Sequence, residues 1–206
     1  MRIKMKKAKI AVLVSGGGTN LQALINAEKK GVIKSGEIVL VVSDNPTAFA
    51  LTRAEKAGIK TAVVSKTEYK DSGVFETALL KILDGVDLVV LAGFMKILSA
   101  DFVRHFENRM INVHPSLIPS FCGEGYFGLR VHRAALEKGV KVTGATVHFV
   151  NEIPDGGRII MQKAVTVKDG DTPETLQKRV MRLAEWKILP ESAEKVCAAI
   201  VKGEKI

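Results

Sequence analysis

Across the first half of the chain, short apolar runs alternate with stretches of helical periodicity. This alternation restricts the fold more than any other feature. Runs at 9–14, 37–43, 61–65, 87–92 and 110–114 are rich in Val, Ile and Leu and have the length of buried strands. Between them, 19–30, 49–57 (closed by Gly58), 74–83 (ending before Gly85) and 99–106 (with Ser99 as N-cap) read as helices. Strand–helix alternation predicts a mostly parallel, Rossmann-like sheet in a three-layer α/β domain. Ligands of such sheets bind beyond the carboxyl ends of the strands. Ser15, Gly93 and His114 stand at three of those ends, so segments far apart in sequence can share one cleft.

The second half changes character. A helix is expected at 131–138, closed by Gly139. Strands at 144–150 and 158–167 flank Pro154-Asp155-Gly156-Gly157, a turn sequence, and predict an antiparallel hairpin added to the sheet. Thr172 followed by Pro173 marks a helix start. That helix is expected to run to about residue 189, break at Pro190 and be followed by a last helix to near residue 202. No internal repeat or low-complexity linker divides the 206 residues, which predicts a single domain over 1–206.

Composition narrows the function classes. A 47% hydrophobic content supplies a sizeable core. The net charge of +9 suits anionic ligands, small or polymeric. Apart from Arg2, Lys4, Lys6, Lys7 and Lys9 the basic residues are dispersed, and no basic stripe is interleaved with aromatics, which argues against nucleic acid. The apolar run at 10–14 is shorter than the roughly 7–15 residues of a signal-peptide core, and no run is long enough to span a bilayer. Cys122 and Cys197 form neither a disulfide framework nor a metal pair. A cytoplasmic protein without metal is the expectation.

Three motifs carry chemistry. In the strand that ends at His114, residues two apart face the same way, so Asn112 and His114 project together. Pro115 holds His114 extended and ends the strand. An amide and an imidazole aimed at one point suit acyl transfer: one can stabilise a developing oxyanion, the other can move protons. The second motif is Ser15-Gly16-Gly17-Gly18-Thr19-Asn20, between the first strand and first helix. Its bare backbone and the helix N-terminus suit a single phosphate. The spacing is neither G-x-G-x-x-G nor a Walker A loop. Third, Asp155 is by type a turn former, but two following glycines are expected to leave it accessible, and its carboxylate could complete a relay with His114. His148 shares a strand face with Thr146 and reads as a structural histidine.

Together SGGGTN (15–20), LAGFMKIL (91–98), INVHPSLIP (111–119), HRAAL (132–136), GATVHFV (144–150), PDGG (154–157) and LAEWKILP (183–190) resemble the phosphoribosylglycinamide formyltransferase family of folate-dependent formyltransferases. The likeness runs through nearly the whole chain in order. It implies the formyltransferase fold, with a nucleotide-binding half over about 1–100 and a folate-binding half over about 101–206. It also implies transfer of the formyl group of 10-formyltetrahydrofolate to the amine of glycinamide ribonucleotide, without metal. In this reading Asn112 and protonated His114 stabilise the oxyanion, and Asp155 tunes His114 and assists proton movement through water. The ribonucleotide phosphate lies on Gly17, Gly18, Thr19 and Asn20, with Glu185 near the nucleotide. The folate lies against Met95, Lys96, Ile97, Leu98, Val150 and Asn151. The oligomeric state is not readable, and a homodimer is left open.

Methionyl-tRNA formyltransferase is similar through the Asn-x-His and DGG motifs but is expected to carry a further C-terminal domain. Formyltetrahydrofolate deformylase is expected to carry an extra N-terminal one. Lys96 stands where many family members have Arg, Trp186 where His is common, and the loop at 120–128 is longer than in compact members. The rival readings are a non-catalytic nucleotide-binding α/β domain, another formyltetrahydrofolate-dependent transferase or hydrolase, and, on charge alone, an RNA-binding module.

Overall fold

The structure is a computed structural model that describes residues 6–69 and 71–204. Arg2 and Lys4 of the basic cluster lie outside them. Seven strands form one sheet in the order β3-β2-β1-β4-β5-β6-β7. Strands β1 (Ala8–Val14), β2 (Gly36–Ser43), β3 (Lys60–Val63), β4 (Leu88–Leu91) and β5 (Met110–His114) run parallel. Strands β6 (Val142–Phe149) and β7 (Ile159–Thr166) add the antiparallel hairpin. The helices are α1 (Thr19–Lys29), α2 (Phe49–Lys56), α3 (Ser72–Ile82), α4 (Ala100–His105), α5 (Leu129–Lys138), α6 (Pro173–Val180) and α7 (Trp186–Lys202).

Period-2 alternation divides the core between the two sheet faces. Ile10, Val12, Val14, Leu88, Val90, Ile111 and Val113 pack with α1, α2, α6 and α7. Ala11, Leu13, Val89, Leu91 and Met110 pack with Phe75 and Leu79 of α3 and Phe102 of α4. Strands buried on both faces need no polar alternation, which explains the continuous apolar runs of β1 and β4.

Local signals act as their chemistry predicts at two helix starts. Ser99 Oγ accepts from Phe102 N–H at 3.2 Å. Thr172 and Thr175 form a capping box with Pro173 at the first helical position. Some boundaries differ from expectation. Asp71 caps α3 and starts it two residues early by accepting from Val74 N–H. Strand β3 stops at Val63, and a short 3₁₀ turn at Lys66–Glu68 follows.

The expected break at Pro190 does not occur; Pro190 lies inside α7. Its ring crowds the carbonyl four residues back, that of Trp186. Trp186 has ψ −3, which swings that carbonyl off the helix line. A wide π-helical turn, Met181–Glu185, joins α6 to α7 just before this point, so the irregularity is absorbed one turn earlier and winding continues.

From β1 the chain moves outward to β2 and β3, then returns to the other side of β1 as β4 and β5. The switch point is therefore between β1 and β4, the usual crevice of such sheets. The glycine loop follows β1, and the segment 93–98 follows β4. Ser15 N–H donates to Gly93 O at 3.2 Å and Met95 N–H donates to Ser15 Oγ at 2.9 Å, which ties the two loops together.

Candidate active site

The period-2 expectation for β5 is met in space: Asn112 and His114 both reach the carboxylate of Asp155. Asn112 Nδ2 is 3.4 Å from Asp155 Oδ1, and His114 Nδ1 is 3.3 Å from Asp155 Oδ2. Asp155 gets there because its turn folds tightly back. Its own φ is 56, a left-handed conformation that Asp tolerates. A Cβ on Gly157 would lie 1.7 Å from Phe149 O, so only glycine permits this approach. The two glycines do not expose Asp155, as the sequence suggested; its side chain is only 13% accessible. They let it be drawn inward.

His148 belongs to this cluster, a role that sequence reasoning passed over. The β5–β6 register sets it directly across from Asn112, and facing residues of an antiparallel pair share a side of the sheet. Its Nδ1 is 2.8 Å from Phe149 O and its Nε2 is 3.2 Å from Asn112 Nδ2. An N–H on Nδ1 donates to that carbonyl; Nε2 accepts from the amide when the ring is neutral and can donate to Asp155 Oδ1, 3.4 Å away, when the ring is protonated. Asn112 thus spends both amide hydrogens, one on His148 and one, over a longer distance, on Asp155.

The long loop also closes on the cluster. Phe121 O lies 2.8 Å from His114 Nε2, and Gly123 N–H donates to Asp155 Oδ2 at 2.9 Å. Phe121 adopts φ 51. Ser116 Oγ, just beyond β5, donates to Ser120 O at 2.5 Å and anchors the loop's start.

Electrostatics follow from burial. Burial pushes the His114 pKa below the ordinary imidazole value, against the pull of the Asp155 charge and the Phe121 carbonyl. The free site thus favours neutral His114, where the family resemblance implies an imidazolium. With acceptors at both ring nitrogens, neither neutral tautomer satisfies both contacts, so the ring is ready to take up a proton. Burial would raise the Asp155 carboxyl, but hydrogen bonding to His148, the charge of His114 and the Gly123 N–H outweigh it and hold it below the usual range. On α5, buried His132 has no hydrogen-bond partner among the described residues, and burial pushes it down to about 4.

A cavity of ≈ 150 Å³ opens beside the cluster, lined by Lys96, Ile97, Leu98, Val150 and Asn151 together with Asn112, His148 and Asp155. Met95 does not line it; its side chain is exposed. Lys96 Nζ lies 3.6 Å from Asp44 Oδ2 at the end of β2.

On the other side of the switch point, Gly16 and Gly17 are exposed, and a Cβ on either would meet nothing within 4 Å. Gly18 carries φ 71 and caps α1, so Thr19 and Asn20 are the first helical residues. Asn20 Nδ2 donates to Glu185 Oε2 at 2.8 Å, which brings the π turn to the loop. Complete burial pushes the Glu185 carboxyl up to about 7 despite that bond. Among the described residues, no group of three or more His, Cys, Asp and Glu is arranged to hold a metal ion.

A doubly wound sheet with an open glycine loop and a buried amide–imidazole–carboxylate cluster at one switch point has the parts of a group-transfer enzyme. The sequence profile of the formyl transferase family matches residues 8–193, and the chain belongs to that family. It is 47% identical over 202 residues to the trifunctional purine biosynthetic protein adenosine-3 of Bos taurus, covering 97% of this chain and 19% of that protein. The chain thus spans about a fifth of the length of this relative. Chloroplastic phosphoribosylglycinamide formyltransferase of Arabidopsis thaliana is 38% identical over 200 residues, covering 96% of this chain and 68% of the other. Among solved structures, glycinamide ribonucleotide transformylase 1 of Symbiobacterium toebii superposes with a TM-score of 0.89 at 40% identity, covering 97% and 92% of the two chains.

Proposed function

We propose that this chain transfers the formyl group of 10-formyltetrahydrofolate to the amine of glycinamide ribonucleotide, yielding N-formylglycinamide ribonucleotide, a step of purine synthesis. The observation that carries this reading is the convergence of Asn112, His114 and Asp155 beside a cavity, across the switch point from the open glycine loop. The names of relatives at 38–47% identity support the choice of substrates.

The open glycine loop suits the phosphate: Gly17 leaves room for an anion, Gly18 turns the chain into α1, and the N–H groups of Thr19 and Asn20 begin a helix. Glu185 would accept from a ribose hydroxyl. The cavity walled by Ile97, Leu98 and Val150 suits a flat heterocycle, with the backbone of Asn151 and Lys96 at its edge. Lys96 is not the planar donor that Arg would be, and its partner here is Asp44. No residue of this set requires a metal.

The reacting carbon would lie between that cavity and the glycine loop. As the amine attacks, negative charge grows on the formyl oxygen. Asn112 then exchanges its long bond to Asp155 for a shorter one to that oxygen. Neutral His114 accepts the proton shed by the amine, directly or through water, and the resulting imidazolium lies against Asp155. Returning the proton to the leaving folate nitrogen completes the cycle. For His114 Nε2 to take part, the Phe121 carbonyl must withdraw.

The test is to mix the protein with glycinamide ribonucleotide and a 10-formylfolate and to follow the absorbance of the deformylated folate. An absorbance change that depends on the ribonucleotide is expected. A change that proceeds equally without it would mean hydrolysis, and no change at all would leave a binding domain.

A further inference from the structure

A second recess lies on the outer face of the molecule, in the groove between α1 and the start of α7. Its volume is ≈ 420 Å³. Trp186 and Pro190 of α7 form one wall, and Lys30, Arg53 and Lys187 line it against a single acid, Glu191. A smaller depression of ≈ 170 Å³ continues past Arg53 and adds Lys29 and Lys56. The two share Gln22 and Arg53, so one continuous groove carries five cations, one acid and an exposed indole.

Arg53 is held ready. Its Nε donates to Gly17 O at 2.8 Å, its Nη1 donates to Gln22 Oε1 at 3.1 Å, and the guanidinium carbon lies 4.9 Å above the Phe49 ring centre. Two of its N–H groups are used in this way and the rest of the fork remains for a ligand. A fixed guanidinium flanked by lysines fits phosphate oxygens. Trp186, 37% accessible, offers a flat face to an aromatic ring. The amides of Gln22 and Asn26 lie between these ends, joined at 3.1 Å, and can meet the polar edge of a base.

Thr19, at the start of α1, lines the groove's inner end, so the groove adjoins the glycine loop. We propose that the rest of the groove is a second binding site beside the reaction cleft, for a nucleoside polyphosphate whose base stacks on Trp186 and whose phosphates meet Arg53 and its neighbouring lysines. Neither half alone accounts for the groove. A bare polyanion leaves the indole wall unused, and an uncharged nucleoside leaves the cations unused. Because Arg53 also holds the Gly17 carbonyl, an occupant touches the rear of the glycine loop.

The chain has one tryptophan, so intrinsic fluorescence reports on the groove directly. ATP without metal is the probe, with adenosine and inorganic tripolyphosphate as the two half-ligands. Saturable quenching by ATP is expected, with each half-ligand at least about tenfold weaker. Saturating glycinamide ribonucleotide should leave the ATP curve in place. Lys30→Glu with Lys187→Glu, both exposed positions outside the reaction cleft, should weaken ATP by about tenfold or more without altering the circular dichroism. Displacement of ATP by the ribonucleotide would move the event to the glycine loop and overturn the proposal. Equal binding of tripolyphosphate would reduce the groove to a cationic patch. A flat fluorescence titration, with calorimetry also silent, would remove the site.

Discussion

At the glycine-loop end of the cleft the groups on offer are mostly backbone, and at the Asn112–His114–Asp155 end they are side chains. Gly16 and Gly17 are exposed, and a Cβ on either would meet nothing within 4 Å among the described residues. By contrast, both nitrogens of His114, both carboxylate oxygens of Asp155 and both amide hydrogens of Asn112 already have internal partners. The first end can receive an anion as it stands. The second must exchange internal bonds for bonds to substrate, so its response to ligand includes a rearrangement of the long loop. Damage at the two ends should therefore look different: loss of turnover at one, loss of affinity at the other.

The largest break is expected from His114→Ala. A positioned acid or base is worth about 10²–10⁴ in rate, so turnover at saturating substrates should fall by that factor while the fold persists. Near-normal turnover would sink the role given to His114. Asp155→Asn comes next. Asn tolerates the left-handed conformation found there and keeps the size, but it removes the charge that raises the His114 pKa. Turnover should fall steeply, and the apparent pKa of the His114 limb in the pH–rate profile should move lower. The Asp155 carboxyl is held below its usual range, so its charge stabilises the fold above that range and this contribution fades as pH falls through it. Some melting temperature is therefore lost near neutrality, but by an amount that does not vary with pH there. A turnover loss that merely tracks the melting temperature would remove Asp155 from the chemistry.

Asn112→Ala should cost on the order of 10²–10³ in rate, the usual worth of one oxyanion donor. A change confined to KM would count against that assignment. At the other end the sharpest comparison is between adjacent glycines. A β-branched side chain at Gly17 would occupy open space at an ordinary backbone angle. Gly17→Val should therefore fold normally and weaken the ribonucleotide far more than the folate in calorimetric titrations. Gly18 has φ 71, and its Cβ would fall 2.7 Å from the Ala50 Cβ. Gly18→Val should lose roughly 2–4 °C of melting temperature per kcal/mol of strain, with affinity falling as a consequence. Equal loss of both ligands in Gly17→Val, or a melting point lower than that of Gly18→Val, would reverse the assignment of the strained position.

Most of the sheet was legible because β1, β2 and β4 are apolar on both faces, β5 opens with an apolar pair, and stretches of helical periodicity separate them. Asn112 and His114 were legible for the same reason, since period 2 in an extended strand decides their side without any tertiary knowledge. His148 was not, because its place depends on the register of β6 against β5, which no local pattern encodes. The inward draw of Asp155 was hidden too: Gly156 and Gly157 signal a turn, while the clash that makes glycine necessary involves Phe149 at the other side of that turn. That Gly18, not Gly17, has positive φ and lies against Ala50 is again something no local pattern encodes. At Pro190 a sound local rule gave way because the π turn and the rotated Trp186 carbonyl accommodate the ring.

The smallest effect expected on ligand binding concerns Glu185, at the glycine-loop end. Its carboxyl is buried, accepts from Asn20 at 2.8 Å and is pushed up to about 7 from an ordinary value near 4.5. A raised carboxyl pKa means that the fold prefers the protonated form. Stability from this group is complete below about 4.5 and is lost as pH rises through about 7. Glu185→Gln keeps an oxygen acceptor for Asn20 and cannot ionise. The variant should match the wild type in melting temperature at low pH and exceed it increasingly from about pH 5 to pH 8. The ribonucleotide should bind the variant within a few-fold of the wild type at low pH and more weakly at high pH, if a charged Glu185 accepts from the ribose. Parallel melting curves for the two proteins across that range would show that Glu185 ionises normally, and that the contact with Asn20 is an ordinary bond to a carboxylate.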